Sequence, residues 1–300
     1  MPDRIKDVTL ANRFTKTAHC KPDHRIDPSQ NGLPSNLTVC IIGASRGIGA
    51  SIAYAYAQAG VGTLLLAARA SSSSELADVS QRTKAINPSL LTASFACDIT
   101  SSPSVSSLAL SIKRDFGKLD ILILNSGYSG PVVLKVSDGD PQDFQDVFDV
   151  NVQGTYLVAH HFIPFLKESD GLKMFIAVGS LAACITSGHI ANTAYCISKF
   201  AQTRLVEFIA EQYGEEGVLA IAVHPGAVLT EMADLTTPES FRPYLKDDPG
   251  LCGAFCVWLC REKRMWMNGR LLSATWDVDE LLAQQGDIEG KDLLKWGFRV

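Results

Sequence analysis

The run Thr38-Val39-Cys40-Ile41-Ile42 passes directly into Gly43-Ala44-Ser45-Arg46-Gly47-Ile48-Gly49 and then into an Ala-rich stretch. No other feature narrows the possible fold so far. A buried strand that turns within a few residues into a helix needs glycines at the turn, because they accept positive φ and close backbone approach. The helix N-terminus that follows gathers unpaired N–H groups and partial positive charge. Strand, turn and helix together form a cradle for a pyrophosphate. A Gly-rich turn alone is a weak sign; placed between a strand and a helix of a βαβ unit it is a strong one. The plainer alternative is a tight loop that holds nothing.

The rest of the chain repeats the same rhythm. Short apolar runs at 38–42, 63–68, 91–96, 121–124, 173–178, 219–223 and 271–273 alternate with helical patterns near 47–58, 74–86, 102–116, 141–166, 195–214 and 249–260. This alternation predicts an α/β fold: a central parallel sheet of about seven strands with helices on both faces. Neither an internal repeat nor a second composition regime is present, so residues 37–300 read as one domain. Residues 1–36 hold Pro22, Pro28, Gly32 and Pro34 without periodicity and read as an N-terminal extension, partly ordered at best.

Charge and cysteine usage exclude other classes. A net charge of -5 without a dense Lys/Arg run argues against a nucleic-acid partner. No apolar run is long enough to span a bilayer, and the N-terminus lacks an apolar signal core, which points to a cytoplasmic protein. The eight cysteines sit largely in apolar runs and read as reduced. Cys252, Cys256 and Cys260 share a helical spacing, but no His stands nearby to complete a ligand set, so no metal site is expected.

The end of the second strand bears on which dinucleotide the cradle takes. NAD sites place an acid there, about twenty residues past the glycines, to hold the ribose hydroxyls. Here the strand reads Leu64-Leu65-Leu66-Ala67-Ala68-Arg69, so Ala68 stands at the acid position and a cation follows. Arg46 in the loop adds a second cation. A 2′-phosphate suits such a pair, since a guanidinium can bind it through two parallel hydrogen bonds. The expected cofactor is NADP(H).

Further along, Tyr195-Cys196-Ile197-Ser198-Lys199 puts a phenol and an ammonium one helical turn apart on one face. A neighbouring ammonium favours the phenolate and draws its pKa toward the working range.

Order and spacing of these motifs resemble the short-chain dehydrogenase/reductase family over residues 37–276. The glycine motif matches Gly43, Gly47 and Gly49, with Ser45, Arg46 and Ile48 in the same loop. Asp98-Ile99 matches the pair beside the adenine. Leu124-Asn125-Ser126-Gly127 matches the Asn-Asn-Ala-Gly turn in part, through Asn125 and Gly127. Asn151, Ser180, Tyr195 and Lys199 match the family's catalytic set, and Pro225-Gly226 its Pro-Gly motif, with Val228 and Thr230 beyond. Ile42 and Leu124 depart from the pattern, where the family has Thr and Asn. The segment 268–277 resembles members from fungal secondary metabolism.

The resemblance implies a Rossmann-type doubly wound fold and hydride transfer between a nicotinamide and a carbonyl or alcohol carbon. It casts Tyr195 as proton donor, Ser180 as the hydrogen-bond donor that polarises the carbonyl, and Lys199 as the residue that lowers the Tyr pKa and holds the nicotinamide ribose. Asn151 would hold a water leading from Lys199 to solvent. The glycines, Ser45, Arg46, Ile48, Arg69, Asp98, Ile99, Asn125, Gly127, Pro225, Gly226, Val228 and Thr230, with Tyr195 and Lys199, would bind the cofactor. It also implies a homodimer or homotetramer built on the helices at 141–166 and 195–214. An isomerase, epimerase or dehydratase on the same fold, or a non-catalytic NADP(H)-binding regulator, are the alternatives. Residues 231–249 are expected to form a substrate lid. Met232, Leu235, Phe241, Tyr244 and Leu245 within it suggest an apolar ketone or alcohol of polyketide or terpenoid type, and His189 is a further residue that could touch it.

Overall fold

The fold was determined as a computed structural model, which describes residues 11–298 except 189 and 238, without the side chains of 235, 236, 240 and 241. Seven strands form one parallel sheet: β1 (Thr38–Ile42), β2 (Thr63–Ala68), β3 (Leu91–Ala96), β4 (Ile121–Leu124), β5 (Met174–Val178), β6 (Leu219–His224) and β7 (Leu271–Ser273). Their spatial order is β3-β2-β1-β4-β5-β6-β7. Register is close, with Ile41 beside Leu66 and Ile123, and Ile176 beside Ile123 and Ile221.

Strand alternation splits the core into two faces. On one, Val39, Ile41, Leu64, Leu66, Ile121 and Ile176 meet helices α1 (Gly47–Gln58) and α8 (Gly250–Arg261). On the other, Cys40, Ile42, Leu122, Leu124 and Phe175 meet α3 (Ser102–Phe116), α5 (Gly154–Lys167) and α6 (Thr193–Tyr213). The interior strands carry continuous apolar runs because both faces are covered; β3, at the edge, alternates with exposed positions. The remaining helices are α2 (Ser73–Ile86), α4 (Pro141–Phe148), α7 (Glu231–Thr236), α9 (Val278–Ala283) and α10 (Gln285–Gly290).

Local chemistry sets the helix ends. The Ser101 side chain accepts from Ser104 N to open α3, and Gly117 closes it at φ 74°, a conformation few other residues take. Asp140 caps α4 with Pro141 in its first turn. The single helix expected over 141–166 is interrupted: residues Asp149–Gln153 form a π-helical turn between α4 and α5. Such a turn inserts a residue into the ladder and is common at functional sites. Here it carries Asn151 inward.

From residue 11 onward the N-terminal extension, expected to be partly ordered at best, packs on the end of the sheet. Phe14 packs on Trp276 with ring centroids 4.9 Å apart, Trp276 Nε1 donates to Ala11 O, and His19 N donates to Thr275 O at 2.7 Å. Ile26 and Leu33 are buried. Arg25 reaches Asp277 at 2.6 Å, and His19 meets the same carboxylate at 3.0 Å. Burial works to raise the Asp277 pKa, but hydrogen bonds from His19, Glu280 N–H and Arg25 outweigh it and bring it down to about 2. Local pattern could not show this order, because its partners lie some 260 residues away. The spaced cysteines of α8 are buried against Tyr56, whose hydroxyl lies 3.0 Å from Cys260 Sγ.

Candidate active site

The sheet order reverses direction between β1 and β4, and loops from the carboxyl ends of these two strands diverge there. In open α/β sheets this crevice is where ligands bind. The glycine loop lines it. Gly43 N and Ala44 N donate to Ala67 O, and Asn125 N and Ser126 N donate to Ile42 O, so the loop is tied to β2 and β4. The Asn125 amide adds a bond to Gly43 O at 2.8 Å. A Cβ at Gly43 would lie 2.6 Å from Ser126 N, and one at Gly49 would lie 1.9 Å from Gly43 O. Gly47 has φ +55°, and a Cβ there would lie 3.6 Å from the Thr230 methyl.

Arg46 precedes α1 without capping it by its side chain. The first turn of α1 is therefore left without a side-chain cap from Arg46, as suits an anion site at a helix N-terminus. These features fit a dinucleotide's pyrophosphate. Ser45 and Ile48 are half-buried in the same loop, and Ile99 is buried against Gly154. Asp98 is exposed and accepts from Thr100 N–H and Oγ1. Arg69 is exposed at the end of β2. Arg46 is not a free cation: its Nε pairs with Glu231 of α7 at 3.1 Å.

Ser180 follows β5 and opens a 3-10 turn, where its Oγ accepts from Ala182 N at 3.0 Å. Tyr195 and Lys199 stand on successive turns of α6, and the ammonium lies 5.8 Å from the Tyr195 ring centroid. Lys199 donates to Val178 O at 3.0 Å and to Gln202 Oε1 at 2.9 Å. Asn151 Oδ1 accepts from Tyr128 N, while Nδ2 donates to Tyr128 O and Ser198 Oγ. Asn151 Oδ1 and Lys199 Nζ flank Gly127, 3.4 and 3.6 Å from where its Cβ would stand. The structure thus brings Asn151, Ser180, Tyr195, Lys199 and Gly127 together at the carboxyl edge of β4 and β5.

Burial is the largest influence on both members of the Tyr195 and Lys199 pair. Burial pushes Tyr195 up to about 12, against a Ser180 hydrogen bond that favours the phenolate. Burial likewise brings Lys199 down to about 8. The ammonium lies over the ring and commits two donors elsewhere, so desolvation wins. Asn151, in turn, spends both Nδ2 hydrogens on protein partners. Its side-chain amide holds the Tyr128 backbone.

Three residues escaped the sequence reading. Gln202, fully buried one turn past Lys199, takes the ammonium. His224 Nδ1 accepts from Leu181 N at 3.3 Å beside Ser180, and burial brings the ring down to about 4, so it is neutral. Asp247 Oδ2 accepts from Ala227 N at 2.6 Å and braces the Pro225-Gly226 turn, where Gly226 has φ +97°. The local signal for Gln202 was its place one turn past Lys199 on the same helix. Val228 is buried beside that turn, and Thr230 caps α7 through Ala233 N. Met232, Tyr244 and Leu229 are solvent-exposed. The expectations for His189 and for the side chains of Leu235 and Phe241 fall outside the described residues.

Comparison with known proteins bears on the same arrangement. The profile of the family described as short chain dehydrogenase matches residues 37–240. This chain is a short-chain dehydrogenase/reductase. It is 36% identical over 300 residues to the short chain dehydrogenase pgmD of Aspergillus terreus, covering 96% of this chain and 94% of that one. It is 39% identical over 258 residues to mpl6 of Monascus purpureus, covering 86% and 87%. Among solved structures, a short chain dehydrogenase from Shigella flexneri complexed with NADP superposes with a TM-score of 0.72 at 26% identity, covering 81% of this chain and 99% of that one. A 7α-hydroxysteroid dehydrogenase complexed with NADH and 7-oxo glycochenodeoxycholic acid gives 0.71 at 25%, covering 82% and 95%. Membership of the family marks the chain as an oxidoreductase that uses a nicotinamide cofactor. Among the described residues no helix is long and apolar enough to cross a membrane.

Proposed function

We propose that the protein is an NADP(H)-dependent oxidoreductase acting on a carbonyl or alcohol carbon of an apolar substrate of polyketide or terpenoid type. The observation that carries this reading is the meeting of Ser180, Tyr195, Lys199 and Asn151 at the crevice that the glycine loop lines. A bound nicotinamide supplies or accepts the hydride. In the reducing direction Tyr195 gives its phenol proton to the substrate oxygen, and Ser180 donates a hydrogen bond to the same oxygen. The phenolate left on Tyr195 lies near the Lys199 ammonium and is reprotonated from solvent, which closes the proton balance. Tyr195 is half-buried as a residue, at the edge of the crevice. Desolvation keeps the phenol protonated until a substrate arrives, as a proton donor requires.

Arg69, with Arg46 once released from Glu231, suits a 2′-phosphate, and no acid stands at the end of β2. The NADP-bound relative supports this choice; the NADH-bound one shows that the fold alone does not decide it. Exposed Leu229, Met232 and Tyr244 on the 229–244 segment favour an apolar partner molecule. The reading includes a cytoplasmic homo-oligomer, supported by exposed Phe144, Tyr156 and Phe208 on α4, α5 and α6. The test is Tyr195→Phe against a panel of apolar ketones with NADPH. Turnover should fall about 10²- to 10⁴-fold with NADPH binding retained. Undiminished turnover would remove Tyr195 as the acid, and binding without turnover in the parent would favour a regulator.

A further inference from the structure

The Lys199 ammonium sits in a hydrogen-bond chain that runs beyond the four residues of the proposed catalytic set. Lys199 Nζ donates to Gln202 Oε1 at 2.9 Å, Gln202 Nε2 donates to Thr155 Oγ1 at 2.9 Å, and Thr155 Oγ1 donates to Asn151 O at 2.7 Å. Gln202 and Thr155 are fully buried and Lys199 is 3% exposed. A buried amide is costly unless both ends are paired. Here both are, and the chemistry permits one orientation only. The Thr155 hydroxyl has one proton and spends it on Asn151 O, so toward Gln202 it can only accept. The amide must therefore turn its NH2 to Thr155 and its oxygen to the ammonium. The π-helical turn that carries Asn151 and the α6 turn that carries Lys199 are thereby locked to each other.

We propose that Gln202 is a positioning residue of this enzyme: its oxygen holds Lys199 charged and aimed past Tyr195, and its amide nitrogen ties that lysine through Thr155 to the Asn151 turn. The inference rests on the proposed role of Lys199 beside Tyr195. The ammonium has three donors, and Val178 O and Gln202 take two. The third is left for the space that Gly127 and Asn151 Oδ1 bound.

What faces the ammonium is simple. From α6 it meets Tyr195 and Gln202, from β5 the Val178 carbonyl, and from the β4 loop and π turn Gly127 and Asn151. Tyr195 is the titratable group among these. Burial alone accounts for the fall of Lys199 to about 8, with neither a carboxylate nor a second cation contributing. Gln202 is thus the adjustable dipole on this charge. A carboxylate in its place favours the ammonium, and a side chain without an acceptor disfavours it.

The test measures Lys199 in the protein without cofactor, by pH titration of the side-chain nitrogen resonance in ¹⁵N-lysine-labelled protein. Loss of the signal in Lys199→Met assigns it. Gln202→Glu should raise the midpoint by about one pH unit or more, a roughly tenfold gain in proton affinity. Gln202→Met should lower it. Thermal melting confirms that each variant is folded, and if Gln202→Met is not, the near-isosteric Gln202→Glu decides alone. Midpoints that stay at the parent value, or that move in the same direction, would overturn the proposal, since a purely structural role predicts lost stability without opposite shifts. The Tyr195→Phe assay is independent: retained turnover there, with opposite shifts here, would remove the acid but leave the Gln202–Lys199 coupling standing.

Discussion

Gly49→Ala tests the cradle most directly. The added methyl would be placed 1.9 Å from Gly43 O and 2.6 Å from Asn125 Nδ2, between two atoms that now share a 2.8 Å hydrogen bond. Neither neighbour has an easy retreat. Gly43 N is fixed to Ala67 O at 2.7 Å, and Asn125 N to Ile42 O at 2.8 Å. Overpacking of this kind costs about 1–3 kcal/mol, and the displaced hydrogen bond about 1 kcal/mol. Alanine's helix preference over glycine returns about 1 kcal/mol. The net loss is about 1–3 kcal/mol. With an unfolding entropy of roughly 2.1 cal/mol/K per residue, that is a fall in Tm of roughly 2–5 °C for a chain of this length. Cofactor binding should suffer more, because relief comes by moving α1 or the loop and either shifts the N–H groups aimed at the pyrophosphate. The assay is thermal melting with and without NADPH, and NADPH titration by fluorescence. We expect at least a tenfold loss of affinity, about 1.4 kcal/mol. Gly286→Ala in α10, where a Cβ meets nothing within 4 Å, is the control and should melt no lower than the parent. If Gly49→Ala melts and binds like the parent, the packing argument for this loop is wrong.

Two further predictions concern selectivity and assembly. Arg69→Asp should weaken NADPH binding by about tenfold or more while leaving NADH nearly unchanged, since it replaces a phosphate partner by a like charge; an unaltered NADPH-to-NADH ratio would refute the NADP(H) assignment. Sedimentation should give a mass above one chain, and Phe208→Asp on the exposed face of α6 should shift it toward one chain; a parent that sediments as a single chain would refute the oligomer.

Much of the fold was legible before any coordinates. The seven strands lie where the short apolar runs placed them, because the interior strands of a parallel sheet are buried on both faces and leave continuous apolar segments. The glycine loop was legible because Gly43 and Gly49 occupy positions where no side chain fits. Tyr195 and Lys199 were legible because a helix puts residues four apart on one face. The break of the helix at 149–153 was not, since the bonds Asn151 makes to Tyr128 and Ser198 join residues 23 and 47 positions away. The packing of the N-terminal segment on Trp276 and Asp277 was hidden for the same reason.

Charge behaviour divides along the same line. The sequence by itself determined which groups could meet, a phenol and an ammonium one helical turn apart behind a phosphate cradle. Spacing along a helix is a local property. Only the tertiary structure decided what those groups do to each other. Burial from both sides outweighs their mutual attraction, so Tyr195 rises and Lys199 falls. Desolvation depends on everything packed around a group, and no local stretch of sequence contains that.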